Sequence, residues 1–191
     1  MTHLLRLGRP DRHTLEQLLA RAGAASLTYD HVGSTLSAPG SSDRKVSTEH
    51  LELGVGAATF DAAVSELRTW VCHRGLGADV FPADAPLQVG TSLLVVLHVG
   101  PVSIVVPNRV VAVVDEPRRI GFAYGTLEGH QERGEESYVV EHLDDDRVVA
   151  TIGLDARAAT TAARLAAPAV GWFQRLAVRR YLAAWRAAVE S

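Results

Sequence analysis

From residue 78 to residue 156 the chain alternates strand-like runs with connections too short to leave a sheet. Residues 78–81, 91–99, 102–114, 121–126, 135–143 and 148–156 are rich in β-branched and aromatic residues, with stretches of period two, and predict strands. Gly100-Pro101, Glu116-Pro117 and the stretch 143–147 separate neighbouring runs. Hairpin loops take about 2–5 residues, whereas a parallel crossover needs about a dozen. The sheet is therefore predicted to be antiparallel.

A further strand over 46–55 precedes this block. After Gly54 and Gly56 comes a helix in which Phe60, Ala63, Val64, Leu67, Trp70 and Val71 recur at three and four residues, closed by Gly75 and Gly77. Asp11 is placed to cap a short helix over 11–22 that carries Leu15, Leu18, Leu19 and Ala22 and stops at Gly23. The stretch 33–47, GSTLSAPGSSDRKVS, has neither period and reads as a flexible loop, a surface connection first and a lid as the alternative. The chain ends in a helix predicted over about 161–190, with Arg164, Arg175, Arg179 and Arg186 on one stripe. Leu165, Val170, Trp172, Phe173, Leu176, Tyr181 and Leu182 cover the rest of its circumference. Pro168 either kinks that helix near its start or stands in its first turn.

One strand, a helix, six antiparallel strands and a long terminal helix is the order of the helix-grip fold. The expectation is an α+β chain in which a curved antiparallel sheet of about seven strands wraps a long C-terminal helix. A strongly curved sheet cannot lie flat on one helix, so the space left over holds side chains or a ligand. Small residues at Ala166, Ala167, Ala169, Gly171 and Ala177 leave room for a cavity or allow close packing. The 191 residues read as one domain, 1–191, with the helix-grip core over 46–191.

Composition closes off several classes. With 19 basic against 22 acidic residues and a formal charge of -3, the chain has no field suited to nucleic acid. A single Cys, Cys72, excludes an internal disulfide and reads as a small buried helix residue. The first ten residues hold only a leucine pair where a secretory signal needs about 7–15 apolar residues. The longest apolar run, 93–114, is interrupted by His98, Gly100, Pro101 and Pro107, which a membrane-spanning helix would not carry. A soluble cytoplasmic protein without membrane insertion is expected.

Several motifs carry a resemblance. They are YDHVGST at 29–35, LGVGAATF at 53–60, RVV at 109–111 with DEPRRIGFAYGT at 115–126, Gly129-His130, Gly134-Glu135-Glu136 and Tyr181-Leu182. Over about residues 27–185 the chain resembles domain-of-unknown-function family nineteen-ninety. The resemblance implies a fold similar to the birch-pollen-allergen and START-like superfamily, whose members bind lipids, hormones and polyketides and some of which are cyclases. Asn108 stands where the family pattern leads one to expect Cys, and Asp155-Ala-Arg-Ala replaces an aromatic Phe-Ser-Arg-Pro-like stretch.

The candidate site lies around residues 109–138. Alternation puts Phe122, Tyr124 and Thr126 on one face of their strand and sets Glu135, Ser137 and Val139 opposite to Glu136, Tyr138 and Val140. One of the two glutamates faces inward, where burial raises its pKa unless Arg109, Arg118 or Arg119 pairs with it. His130 either orients on Glu132 or Glu135 as an acid–base group or belongs to a rigid hairpin tip built on Gly125, Gly129 and Gly134. His130, Glu135 and Tyr124 are the catalytic candidates. Tyr124, Thr126, Arg109, His130, Glu136, Trp70 and Phe173 are the candidate ligand contacts, although Trp70 is explained as simply by core packing. The pairs His50 with Glu52 and His130 with Glu132 stand too far apart for a metal site, and no motif asks for a cofactor. The leading expectation is a binder of a small, mostly apolar molecule between sheet and terminal helix. The alternatives are a cofactor-independent cyclase or dehydratase acting on a polyketide-like or terpenoid-like substrate, and a protein interaction module using the 33–47 loop or the arginine stripe.

Overall fold

A computed structural model describes residues 5–36, 46–130, 132–158 and 167–190, with only the backbone of 158 and 167–175. The elements in chain order are β1 (Leu5–Leu7), α1 (Arg12–Ala24), a 3-10 turn (Ser34–Leu36), β2 (Ser47–Val55), α2 (Gly56–Arg68) and α3 (Val71–Gly75). β3 (Ala78–Phe81), β4 (Ser92–Val99), β5 (Val102–Glu116), β6 (Arg119–Thr126), β7 (Glu132–His142), β8 (Arg147–Ala158) and α4 (Ala167–Val189) follow. The strands form one sheet in the order β2-β8-β7-β6-β5-β4-β3, with β1 added to β5. Every pairing is antiparallel, as the short connections require.

Among the described residues the sheet holds eight strands, one more than the periodicity suggests. β1 spans three residues, too few to display a period. It joins β5 at 102–104, beyond the reach of β6, which pairs β5 over 108–116. Pro107 falls in the gap between these two partners, where no strand needs the N–H it lacks, while its carbonyl accepts from Leu127 N–H at 3.2 Å.

The helix expected through Trp70 is two helices. Thr69 and Trp70 N–H turn back to the carbonyls of Glu66 and Leu67, and Trp70 adopts φ 60°, ψ 35°. A left-handed conformation costs a non-glycine residue about 1–3 kcal/mol. Burial of the indole offsets this: Trp70 Nε1–H donates to Ala85 O at 3.2 Å and the ring meets Phe122 edge-on at 5.1 Å. The break resets the helical phase, so that Val71, Cys72 and His73 are all buried.

Both faces of the sheet are covered. On the outer face, α1 is capped by Asp11, whose Oδ1 accepts Thr14 N–H at 2.7 Å, and packs Leu18 and Ala22 on Leu94, Val96, Val105 and Leu127. On the inner face, α2, α3 and α4 close over Val95, Phe122, Tyr138, Val140 and Ile152. Pro168 is the second described residue of α4, and residues 161–166, on which the choice between a kink and a helix start turns, lie outside the described residues. Trp185 of α4 is fully buried and donates its indole N–H to Ala63 O at 2.9 Å. A Cβ at Gly75 would stand 2.0 Å from Ala184 Cβ, so only glycine lets α3 meet α4 this closely. Residues 37–45 of the expected loop and 161–166 of the expected helix lie outside the described residues. Among the described residues no helix is long and apolar enough to cross a membrane.

Candidate functional site

Alternation along β7 sends its two central glutamates to opposite faces. Glu135 pairs across the sheet with Gly125 and Asp155, Glu136 with Tyr124 and Leu154. Glu136 is the inward one, alongside Tyr138 and Val140.

The inner face carries a chain of polar groups inside aromatic surroundings. Tyr124 O–H donates to Glu136 Oε2 at 2.7 Å, and His73 Nε2 lies 3.0 Å from the same phenol oxygen. Tyr138 Oη stands 3.3 Å from Tyr124 Oη. His73 is itself packed among rings, with centroids of Trp70, Tyr138, Tyr124 and Tyr181 at 5.2–5.6 Å. Desolvation pushes the Glu136 carboxyl up to about 7, against the hydrogen bonds from Tyr124 and Tyr138, which pull it down. The same burial drops His73 to about 3 and raises the phenols of Tyr124, Tyr138 and Tyr181 and the Cys72 thiol. At neutral pH His73 is neutral and Cys72 a thiol, while Glu136 stands near half-ionisation. Glu136 lies deep among protein atoms yet retains accessible surface.

Glu135 belongs to a different construction on the outer face. Its Oε2 accepts Tyr29 O–H at 2.9 Å and Gly33 N–H at 2.7 Å; its Oε1 accepts Thr35 N–H at 3.0 Å and Thr35 O–H at 2.5 Å. Ser137 Oγ donates to Thr35 O at 3.1 Å. The sheet makes room for this segment with glycines: a Cβ at Gly125 would stand 2.1 Å from Tyr29 Oη, and one at Gly153 2.6 Å from Ser137 Oγ. The YDHVGST motif and the Gly134-Glu135-Glu136 motif are thus two halves of one clasp. The carboxylate draws the hydroxyl of Tyr29 into burial, which pushes that phenol up.

Several expected contacts find other partners. Arg109, expected beside the ligand, turns to the outer face, where Nη2 donates to the Ala22, Gly23 and Ala25 carbonyls at the end of α1 at 2.8–3.1 Å. Open carbonyls at a helix C-terminus attract a cation more strongly than an apolar pocket does. His130 does not orient on Glu135: its Nδ1 accepts Glu132 N–H at 2.9 Å within the hairpin tip, and desolvation lowers it to about 4. Thr126 Oγ1 is taken up by Gly134 N–H at 3.0 Å and by Thr28 Oγ1 at 2.5 Å. Trp70 stands in the inner core beside His73 and Phe122. Phe173 lies in the backbone of α4, and its side chain falls outside the described ones. Tyr124 and Glu136 are therefore the expected residues that meet, and the sequence reading missed His73 and gave Tyr138 and Tyr181 no site role. Tyr181 had a signal, its place in a family motif; His73 had none.

The comparisons with known proteins bear on family and fold. The family model described as Domain of unknown function (DUF1990) matches residues 28–184, from the clasp to α4. The chain belongs to the DUF1990 family. A UPF0548 protein of Deinococcus radiodurans is 33% identical over 178 residues, covering 85% of this chain and 87% of that one. Among solved structures, a hypothetical protein from Helicobacter pylori superposes with a TM-score of 0.57 at 16% identity, covering 85% of this chain and 98% of its own. Thalictrum flavum norcoclaurine synthase, as a point mutant in complex with a transition state analogue, gives 0.50 at 16% identity, over 77% of this chain and 96% of its own. At such identities these likenesses speak for the fold alone. The fold of this DUF1990 member is the START-like helix grip, as the order of elements predicts.

Proposed function

We propose that this DUF1990 protein binds a small, mostly apolar molecule on the inner face of the sheet, under α4, with Glu136 and Tyr124 as its polar anchors. One observation carries the reading: a carboxyl deep among aromatic rings, held by Tyr124 at 2.7 Å, that keeps accessible surface. Apolar walls with a few convergent polar groups are the usual make-up of a ligand site. Native mass spectrometry of gently purified protein tests it. A stoichiometric adduct released on denaturation is expected; a clean mass together with no saturable binding of a naphthalene probe, whether amine, alcohol or acid, overturns it.

A second reading has its own support. Glu136 titrates near neutrality, the condition for a general acid or base, with Tyr124 beside it as a proton donor. A cyclase or dehydratase of this kind would lose turnover in Glu136→Gln while retaining ligand affinity. The interaction-module reading leans on the 33–47 loop, of which residues 37–45 lie outside the described residues.

A further inference from the structure

The hydrogen-bond chain on the inner face has a direction, and the atom at its far end sets it. His73 is 1% exposed and its Nδ1 has no hydrogen-bond partner. A proton on Nδ1 would leave a buried N–H donor without an acceptor, which folded proteins very seldom carry; a bare ring nitrogen is the smaller loss. The proton therefore sits on Nε2, which donates to Tyr124 Oη at 3.0 Å and leaves the phenol's one proton for Glu136 Oε2 at 2.7 Å. Both donors point toward the carboxylate, as an ionised Glu136 requires, and the second bond has the length of a charge-assisted one.

An ionised Glu136 in this place calls for a countercharge. Among the described residues, the groups that face it are Cys72 and His73 from α3, Tyr124 from β6, Glu132 and Tyr138 from β7, and Tyr181 from α4. None is a cation at neutral pH, and among the described residues no Arg forms an ion pair with Glu136. The faces of the surrounding rings are electron-rich and attract a cation.

We propose that the ligand is a mostly apolar molecule bearing one basic nitrogen, whose ammonium pairs with Glu136 and lies against Tyr124, Tyr138 and Tyr181. The inference rests on the binding reading above and adds the sign of the ligand's charge. Fatty acids and other carboxylates are excluded by the same groups.

Three naphthalene probes of matched size separate the two claims: naphthalen-1-ylmethylamine, naphthalen-1-ylmethanol and 1-naphthoate, titrated calorimetrically into the full chain at about pH 8. The amine is expected to bind about tenfold or more tighter than the alcohol, the size of one desolvated cation–π contact with its ion pair. The acid is expected not to bind. The amine's advantage should vanish in Glu136→Gln, verified as folded by circular dichroism, and shrink as the pH falls to about 6 and Glu136 takes up a proton. Equal binding of amine and alcohol to the native chain, or a preference for the acid, overturns the basic nitrogen and leaves the binding reading standing. No saturable binding of any of the three overturns both.

Discussion

Replacing Glu135 by alanine is expected to unfasten the 29–35 segment from the sheet, and the size of the effect follows from the bonds it removes. The carboxylate is 2% exposed and accepts from two backbone N–H groups and two hydroxyls. A hydrogen bond to a charged group contributes about 1.5–3 kcal/mol net, but four such losses do not add, because the released segment lets water reach the freed donors. An effect worth about two of the four bonds gives about 3–5 kcal/mol, the range for breaking a buried charged partnership. At about 2–4 °C per kcal/mol for a chain of this size, the melting temperature should fall by about 6–20 °C. Urea unfolding followed by far-UV circular dichroism measures the change. Tyr29→Phe, which removes one donor, should cost about 1–2 kcal/mol. A loss below about 1 kcal/mol in Glu135→Ala would refute the clasp, given that a single buried donor left unpaired costs that much.

Gly125→Ala places a methyl 2.1 Å from Tyr29 Oη, and displacement of that ring should destabilise by about 1–3 kcal/mol in the same assay; an unchanged midpoint would deny the close approach. Tyr124→Phe removes a bond that lowers the Glu136 pKa, so a carbon-detected NMR titration should find that carboxyl above its native value of about 7, and a fall would contradict the assigned donor. The pH dependence of stability has opposing parts. Glu136 is raised from 4.5 to about 7 by folding, so its contribution is present below pH 4.5 and lost as the pH rises through 7. His73 and His130 are lowered from 6.5 to about 3 and about 4, so theirs is present above pH 6.5 and lost on acidification. Between pH 4.5 and 6.5 the unfolded chain holds two histidine protons that the folded chain lacks, against the one proton on folded Glu136. These groups make stability rise with pH by about 1.4 kcal/mol per unit, and Glu136→Gln should steepen this to about 2.7; equal slopes in the two proteins would refute the burial of an ionisable Glu136.

Much of the fold was legible because period and connection length are local quantities. Hairpins between 91 and 156 and the cap at Asp11 follow from a few neighbouring residues each. The inner site was legible only by halves. Alternation says that Glu135 and Glu136 face apart, but which one goes inside depends on Tyr29 and Thr35, about a hundred residues earlier, fitting over Gly125 and Gly153. His73 escaped notice because the apolar period runs unbroken from Phe60 to Val71, while the chain turns left-handed at Trp70 and restarts its phase. His130 and Glu135 are near in sequence, yet the hairpin tip and the sheet face draw them to different partners.

The bare backbone at Gly134 has a wider consequence. A Cβ there would stand 1.7 Å from the Asp155 carbonyl oxygen, so no other residue of β7 fits that notch. A slip of β7 by one residue would carry a side chain into it, exchange the faces of Glu135 and Glu136, and leave a charge unpaired on either side of the sheet. Gly134 therefore acts as an alignment mark for the strand: it reads the frame in which two carboxyls, written on adjacent letters, each arrive on the proper side.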